Sequence, residues 1–366
     1  VRNVVGSQSL PVKNGTLDFV EPGRLYMALD TELNTPLAVN IDPLGLNLYD
    51  PSVDPDAASP FVTLQMPKQH INHKTNVSIA SQLIDVQDHA QTVAWFNKFF
   101  DQEEAELRIK ADKLHAHLGA LDYEVGLDKT VKVPGLNYLK GFGVTDVQFV
   151  IPPGPDGVNM RGHLTIPNAG VITLGLGNVS FNLMAGDINL GLVQILDLDL
   201  KPGNNTPSFT GEFYFDQLVP NLATILDATK DALNKDGNLA LTAKGNSTIA
   251  NGQHIKYIEG VLNTKAIPFT IPAMTFLVDV VSGVLAGGTD GSQSPLFDTL
   301  GHVLNNSTLF ENLLHHWEEV ATEPNGTAPA GTTAKRAAPA RATKLGRTIR
   351  TNLFRLGLRS LRSKAR

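Results

Sequence analysis

Two halves of this 366-residue chain carry the same order of events. In the first, strands run up to Val86, and a helical stretch follows at residues 92–100. Then come a strand at 105–111, Gly119, a strand at 121–127 and the segment 129–134. In the second, strands run up to Phe215, and Leu222, Ile225, Leu226, Ala232 and Leu233 fall at helical spacing. A strand at 239–243, Gly252, a strand at 254–262 and the segment 265–272 come after them. Gly119 and Gly252 stand 133 positions apart, and Leu127 and Leu262 stand 135 apart, so the offset is nearly constant. Self-similarity of this kind marks an internal duplication and narrows the fold to one module built twice.

Within each copy the apolar residues alternate with period two, as half-buried strands require. Leu29, Thr31 and Leu33 alternate with Ala28, Asp30 and Glu32; Leu107, Ile109 and Ala111 alternate with Arg108 and Lys110. Turn clusters separate these runs, at Asp50-Pro51-Ser52 and from Pro152 to Gly157. Prolines in the second cluster bar a helix or central strand, so a domain boundary is expected there. The expected fold is mainly β: two tandem antiparallel β-sandwiches, each with one flanking helix and its own core, plus C-terminal helices and a basic tail. The corresponding division is a linker or first strand at 1–21, sandwich repeats at 22–138 and 139–272, a helical extension at 273–321, and a linker with basic tail at 322–366.

The second copy reads Leu164-Thr165-Ile166-Pro167-Asn168, then Thr173-Leu174-Gly175-Leu176-Gly177-Asn178-Val179-Ser180-Phe181. It continues with Leu200-Lys201-Pro202-Gly203-Asn204-Asn205 and Gly245-Asn246-Ser247-Thr248 with Asn251-Gly252. These runs resemble the fungal uncharacterised proteins of the DUF3712 type, whose tandem domains are similar to the late-embryogenesis-abundant type 2 (LEA2) fold. In the first copy, Asn34-Thr35-Pro36 stands where that family has Asn-Pro, with Thr35 inserted. The resemblance covers roughly Pro22 to Pro272. It implies small immunoglobulin-like sandwiches without catalytic residues, as found in the luminal part of vacuolar-membrane proteins, and no active-site residue is carried over. Read on their own, the Pro-Asn and Pro-Gly-Asn motifs are turn residues that end strands.

Composition removes several functions. Cysteine is absent, which excludes disulfides, thiolate nucleophiles and Cys-ligated metals and leaves the redox compartment open. Eleven of the 30 Lys and Arg lie in residues 335–366, which hold no Asp or Glu; the remaining 19 face 36 acidic residues, a balance of −17 for the body. An acidic body argues against nucleic-acid binding by the folded part, because phosphate contacts need clustered cations. The apolar stretch from Ala266 to Gly288 has the length of a membrane span, but Pro268, Pro272 and Asp279 make it read as a buried strand at 267–271 and a core helix at 274–285. Farther on, Leu296, Phe297, Leu300, Val303 and Leu304 form one apolar helical stripe and Phe310, Leu313, Leu314 and Trp317 another, with Thr308 and Glu311 as a capping box. Residues 322–340, rich in Ala, Pro, Thr and Gly, cannot bury enough surface to fold. Val1 with no leader behind it reads as a processed form or fragment, with an anchor expected upstream.

Asn-x-Ser/Thr occurs at Asn14, Asn76, Asn178, Asn204, Asn246, Asn305, Asn306 and Asn325. These eight compare with about three expected by chance from 27 Asn and 44 Ser plus Thr. Asn305 and Asn306 overlap, so Asn305 is counted once. Sequons gathered in turns of a β-rich chain suit glycosylation in a secretory lumen, against Asn-rich turns in a cytosolic protein. In the tail, Leu345, Ile349, Leu353 and Leu356 fall on one side of a helical wheel and Arg347, Arg355, Arg359 and Arg362 elsewhere. Contact with an anionic membrane surface or an acidic partner, a solvated tail, and removal at the dibasic Lys335-Arg336 are all compatible with this pattern.

His115 and His117 lie on one strand face with Asp122 close in sequence, which suits two metal ligands or ordinary histidines. His70 and His73 fall in a polar loop, and His315 and His316 beside Trp317. Asp50, Asp54 and Asp56 are spaced like calcium ligands but lack the loop glycine and terminal Glu. No nucleophile elbow, phosphate loop or zinc-protease motif occurs, so no catalytic residue, cofactor or metal is expected. The expectation is a non-catalytic, extracytoplasmic structural or interaction module of a fungal endomembrane of vacuolar type. Its rival is binding of a lipid or other apolar ligand between the sheets.

Overall fold

The computed structural model describes residues 11–150, 153–273 and 276. The chain divides into two compact units, Val1–Tyr214 with Ala240–Ile271, and Phe215–Leu239 with Pro272–Arg366. The protein is mainly β, with a large sheet and few helices.

In the first unit β1 (Val12–Glu21), β2 (Arg24–Ile41), β3 (Leu44–Tyr49), β4 (Val62–Met66) and β5 (Gln69–Asp85) precede helix α1 (His89–Asp101). Strands β6 (Glu104–Leu118) and β7 (Leu121–Pro134) follow it. A second set consists of β8 (Gly143–Phe149), β9 (Met160–Asn168), β10 (Ile172–Ala185), β11 (Ile188–Leu200), β12 (Gly203–Asn205) and β13 (Ser208–Phe213). Helices α2 (Phe215–Ala228) and α3 (Lys230–Asp236) come next in sequence, then β14 (Asn238–Ala250), β15 (Gln253–His254), α4 (Lys256–Leu262) and β16 (Ala266–Pro272).

The pairing repeats as the element order does. In the first set β1 pairs β2, β2 pairs β5, β3 pairs β4 and β6, and β6 pairs β7, all antiparallel. In the second, β8 pairs β9, β9 pairs β13, and β10 pairs β11 and β14, again antiparallel, while β14 pairs β15 and β16. Side chains alternate across these strands: in β9 Met160, Leu164 and Ile166 are buried, and in β16 Ile267, Phe269 and Ile271 are. One buried face per strand is what drives the sheets to cover each other, at roughly 25 cal/mol for each Å² of apolar surface removed from water.

The run from Pro153 to Gly157 turns between β8 and β9, inside the second set and not between the sets, with Gly157 N bonded to Gly154 O at 3.0 Å. The expected strand at 254–262 is instead the two-residue β15 followed by α4. Tyr257, Ile258, Val261 and Leu262 are its buried residues, a helical spacing, and Ile258 N and Glu259 N bond back to Ile255 O at 3.0 and 2.9 Å. The return strand that is continuous as β7 in the first set is therefore interrupted in the second. The helical run expected to end near Leu233 is split into α2 and α3, which belong to the second unit. There Thr229 N still reaches Ile225 O at 3.1 Å, Leu218 and Ile225 are buried, and Ala273 N bonds Gly237 O at 3.0 Å. Apart from Ala273 and Phe276, the expected helices and linker beyond β16 lie outside the described residues.

Each copy was expected to bury a core alone, yet both sets lie in one compact unit. β1 runs parallel to β10, with Gly15 opposite Ile172 and Asp18 opposite Gly175. Phe19 of β1 sits edge-on to Phe96 of α1 (5.4 Å) and to Tyr257 of α4 (5.9 Å). Burial pushes the Tyr257 hydroxyl well above the usual tyrosine range. Lys265, buried beside β16, pairs with Asp101 of α1 at 2.7 Å and lies over the Phe100 ring. Asn137, Tyr138 and Leu139 form a tight turn between the sets with φ of 49°, 53° and 50°. Three successive left-handed residues without glycine cost roughly 1–2 kcal/mol each. They are held because Leu139 is buried, the Tyr138 ring packs on Phe100 at 5.8 Å, and the Tyr138 hydroxyl donates to Ala266 O at 3.2 Å and accepts from Ala266 N at 3.3 Å.

Candidate functional site

Of the expected glycan acceptors, Asn14, Asn76, Asn178, Asn204 and Asn246 are described, and all five are exposed. They stand on strands β1, β5, β10, β12 and β14, not in the turns anticipated from sequence. Outward strand positions serve equally, because alternation points every second side chain at solvent. Asn178 follows Gly177, whose φ of 66° marks a bulge, and its Oδ1 accepts from Asp197 N at 3.0 Å. Asn246 is the extra residue where the β10–β14 register shifts, and its Nδ2 donates to Asn182 Oδ1 at 3.0 Å. The hydroxyls two residues on differ: Thr16, Ser78 and Thr206 are exposed, whereas Ser180 is buried and 2.6 Å from Ser247 Oγ. Thr248 is fully buried and its hydroxyl has no hydrogen-bond partner. Asn305, Asn306, Asn325, Arg347, Arg355, Arg359 and Arg362 lie outside the described residues.

The motif asparagines lock turns. Asn168 is buried after Pro167, and its Nδ2 donates to Ile172 O and Leu200 O at 2.8 and 3.0 Å while its Oδ1 accepts from Gly170 N at 2.9 Å. Asn205 holds the Pro202-Gly203 turn in the same way, with Lys201 N on its Oδ1 at 3.0 Å and its Nδ2 on Lys201 O at 2.7 Å. A side-chain amide spanning both sides of a turn replaces the backbone ladder that the turn interrupts.

His117 and Asp122 do meet, because the Gly119 hairpin sets them opposite each other in β6 and β7. Nδ1 of His117 lies 2.5 Å from Asp122 Oδ1, and Nε2 lies 2.9 Å from Asp42 Oδ2 at the end of β2. A carboxylate on each nitrogen favours the imidazolium form: Asp42 first and then Asp122 raise the His117 pKa, and the same bond to His117 lowers that of Asp42. His115 sits 4.0 Å from Glu124 instead, so the two histidines do not converge. Asp42, 75 residues from His117 in sequence, was not foreseen. His70 bonds Asn40 and His73 bonds Asn72, both at 2.7 Å.

The acidic run is dispersed. Asp50 is fully buried and takes Lys98 Nζ on both oxygens at 2.7 and 2.8 Å, with Ser52 N and Oγ at 2.9 and 2.5 Å. Burial pushes its pKa up, but the bonds from Lys98 and Ser52 outweigh that and hold it below the usual carboxylate range. Asp54 Oδ1 accepts from Asp56 N at 3.0 Å, and Asp56 pairs with Lys110. Among the described residues no group of three or more His, Asp or Glu is placed to hold a metal ion, and no helix is long and apolar enough to cross a membrane.

One row of the outer sheet face crosses five strands: Asp199 of β11, Gly175 of β10, Asp18 of β1, Tyr26 of β2 and Leu83 of β5 are successive register partners. Tyr26 and Leu83 are about two-fifths exposed, at 41% and 39%. Asp18 leans over the glycine so closely that a Cβ there would stand 2.5 Å from its Oδ1. Burial and then the Asp199 charge raise the Asp18 pKa. Nothing in sequence marked this row, since its members are linked only by register.

Set beside known families, residues 59–183 match the family described as "Protein of unknown function (DUF3712)". The match is about a third of the chain and runs from before β4 into β10, across both strand sets. No curated protein matches the sequence. Among solved structures, the solution structure of AT1g01470 from Arabidopsis thaliana is similar at 7% identity and a TM-score of 0.23, over 35% of this chain and 82% of that one. The Salmonella enterica SafA pilin in complex with the SafB chaperone is similar at 11% identity and a TM-score of 0.17, over 73% and 96%. Neither defines the fold, which rests on the strand pairing given above.

Proposed function

We propose that this is a non-catalytic glycoprotein, a structural or interaction module of the DUF3712 type in the lumen of a fungal secretory or vacuolar compartment, associated with its membrane. The observation that carries the reading is that all five described sequon asparagines stand exposed on outward strand positions. A polar glycan is tolerated only where its asparagine projects into water. The turn-locking roles of Asn168 and Asn205 fit tandem LEA2-like, immunoglobulin-like sandwiches, in which such motifs build turns and do no chemistry. The test is glycosidase digestion and site mapping of protein from the native host. Collapse of a heterogeneous mass with modified Asn14, Asn76 and Asn204 is expected; a single unmodified mass overturns the compartment.

Ser180 and Thr248 add a condition. Because their hydroxyls are buried, Asn178 and Asn246 accept glycans only if modified before β10 and β14 dock. In a chain that is refolded before exposure to the transferase, these two asparagines stay bare while Asn14, Asn76 and Asn204 react.

A further inference from the structure

We propose that β7 is a docking edge for a second copy of this chain, the two β7 strands joining antiparallel about a two-fold axis at Leu127. β7 spans Leu121–Pro134 and is hydrogen-bonded along one side, to β6; no other described strand pairs with it. The other strands with a single partner are closed to addition. The Gln82 side chain bonds Gln65 N and O at 3.0 and 2.8 Å and so ties β4 to β5. Farther along β5, His73 has a φ of 54°, and the Thr75 hydroxyl engages Asn72 N and O at 2.9 and 3.1 Å. β8 shifts register between Val144 and Asp146, β16 contains Pro268 and Pro272, and β12 and β15 have only three and two residues. Features of this kind keep an edge from recruiting another chain. β7 has none of them between Leu121 and Val133, and the extra residue in its pairing with β6 lies on β6, between Ala111 and Leu114.

The edge is complementary to itself. Paired about Leu127, residues 121–133 of one copy run against the same residues of the other, and every side chain stays on its own face of the sheet. On the outward face Asp122 then stands opposite Lys132, twice, and Glu124 opposite Thr130. Asp122 and Lys132 are 79% and 66% exposed, so both can turn toward the second copy. Neighbouring registers that keep the faces set acid against acid. About Val125 it is Asp122 on Asp128, about Gly126 Glu124 on Asp128, and about Asp128 that residue on itself. On the inward face the Leu127 register places Leu121 beside Val133, Tyr123 beside Val131, and Leu127 beside its own copy. Leu121 is 55% exposed whereas Val131 and Val133 are buried, so the second copy extends the apolar face that β7 leaves uncovered at its start. Opposite charges and aromatic–β-branched pairs are favourable across antiparallel strands, and like charges are not.

Sedimentation of the full chain over a concentration series should show a monomer–dimer equilibrium; a chain that stays monomeric up to about 1 mM overturns the proposal. Asp122→Lys and Lys132→Asp, each alone, oppose like charges at two places and should weaken dimerisation by about tenfold or more, and the two together should restore it. Both positions are exposed, so unaltered circular dichroism serves as the folding control. Register is read by cross-linking, which the absence of native cysteine makes specific. Glu124→Cys mixed with Thr130→Cys should give a covalent dimer with a short bis-maleimide. Either variant alone should not, because its two thiols would lie six residues apart along the strands, about 20 Å. No excess of the mixture over the single variants places any dimer on another face and overturns the site. Single charge variants that dimerise like the wild type overturn it too, as does a double variant that dimerises no better than the single ones.

Discussion

Removing the ammonium of Lys98 should harm the fold more than neutralising its partner Asp50, and the excess should fade in acid. Asp50 is fully buried and receives four bonds, two from Lys98 and two from Ser52. Lys98→Met leaves the carboxylate in place without a counter-charge, and breaking a buried pair from one side costs about 3–5 kcal/mol. The Lys98 side chain is 39% exposed, which places the estimate at the low end, about 3 kcal/mol. Asp50→Asn keeps an acceptor for Ser52 and frees a lysine that can turn to water, so about 1–2 kcal/mol is expected. For a unit of this size those losses lower the melting temperature by roughly 6–12 °C and 2–8 °C. In the wild type the Asp50 pKa is depressed, so its contribution is present above the unfolded carboxylate value near 4 and is lost as pH falls through the lower folded value. In Lys98→Met only the two Ser52 bonds still oppose burial, the folded pKa rises above its wild-type value, and the deficit shrinks as pH falls through it. Urea unfolding at neutral and mildly acidic pH reads both effects. Equal losses in the two variants, or a Lys98→Met deficit independent of pH, would refute the reasoning.

Three other outcomes are expected. Proton NMR should find His117 titrating above the ordinary histidine value, and Asp122→Asn should lower it; its stabilising effect is complete below the unfolded value near 6.5 and disappears as pH rises through the folded one. Gly245→Ala should destabilise by about 1–3 kcal/mol in denaturant melts, because the added carbon would lie 2.3 Å from Leu262 O and must displace the end of α4. Tyr138→Phe removes both bonds to Ala266 and should cost about 1–2 kcal/mol in the same assay, while Lys140→Ala, on an exposed side chain one turn away, should cost little.

Period-two alternation made the strands legible, and they formed at Leu107, Ile109 and Ala111 as expected because that signal is local. Helix α1 was legible for the same reason: Thr92, Trp95, Phe96 and Phe99 sit at helical spacing, and Asp88 caps its start with Gln91 N on Oδ1 at 2.9 Å. α4 was missed because His254, Lys256 and Glu259 interleave with apolar neighbours over so few residues that both periods fit. The joint between the copies was illegible for a different reason. Phe19, Phe96 and Tyr257 are 77 and 161 positions apart, and no local pattern reports which aromatic rings meet. The same holds at the candidate sites. His117 with Asp122 could be paired across one hairpin, but Asp42 and the row from Asp199 to Leu83 depend on strand register, which a duplication leaves open.

That joint is the structural claim on which the account depends, and hydrogen exchange pulsed along a denaturant series tests it peptide by peptide. If β1 and the Phe19, Phe96 and Tyr257 cluster make the two strand sets one cooperative unit, peptides from β2, β6, β10 and β14 become exchangeable at a single midpoint. Peptides of β2 and β6 opening at one denaturant concentration, and those of β10 and β14 at another, would contradict it.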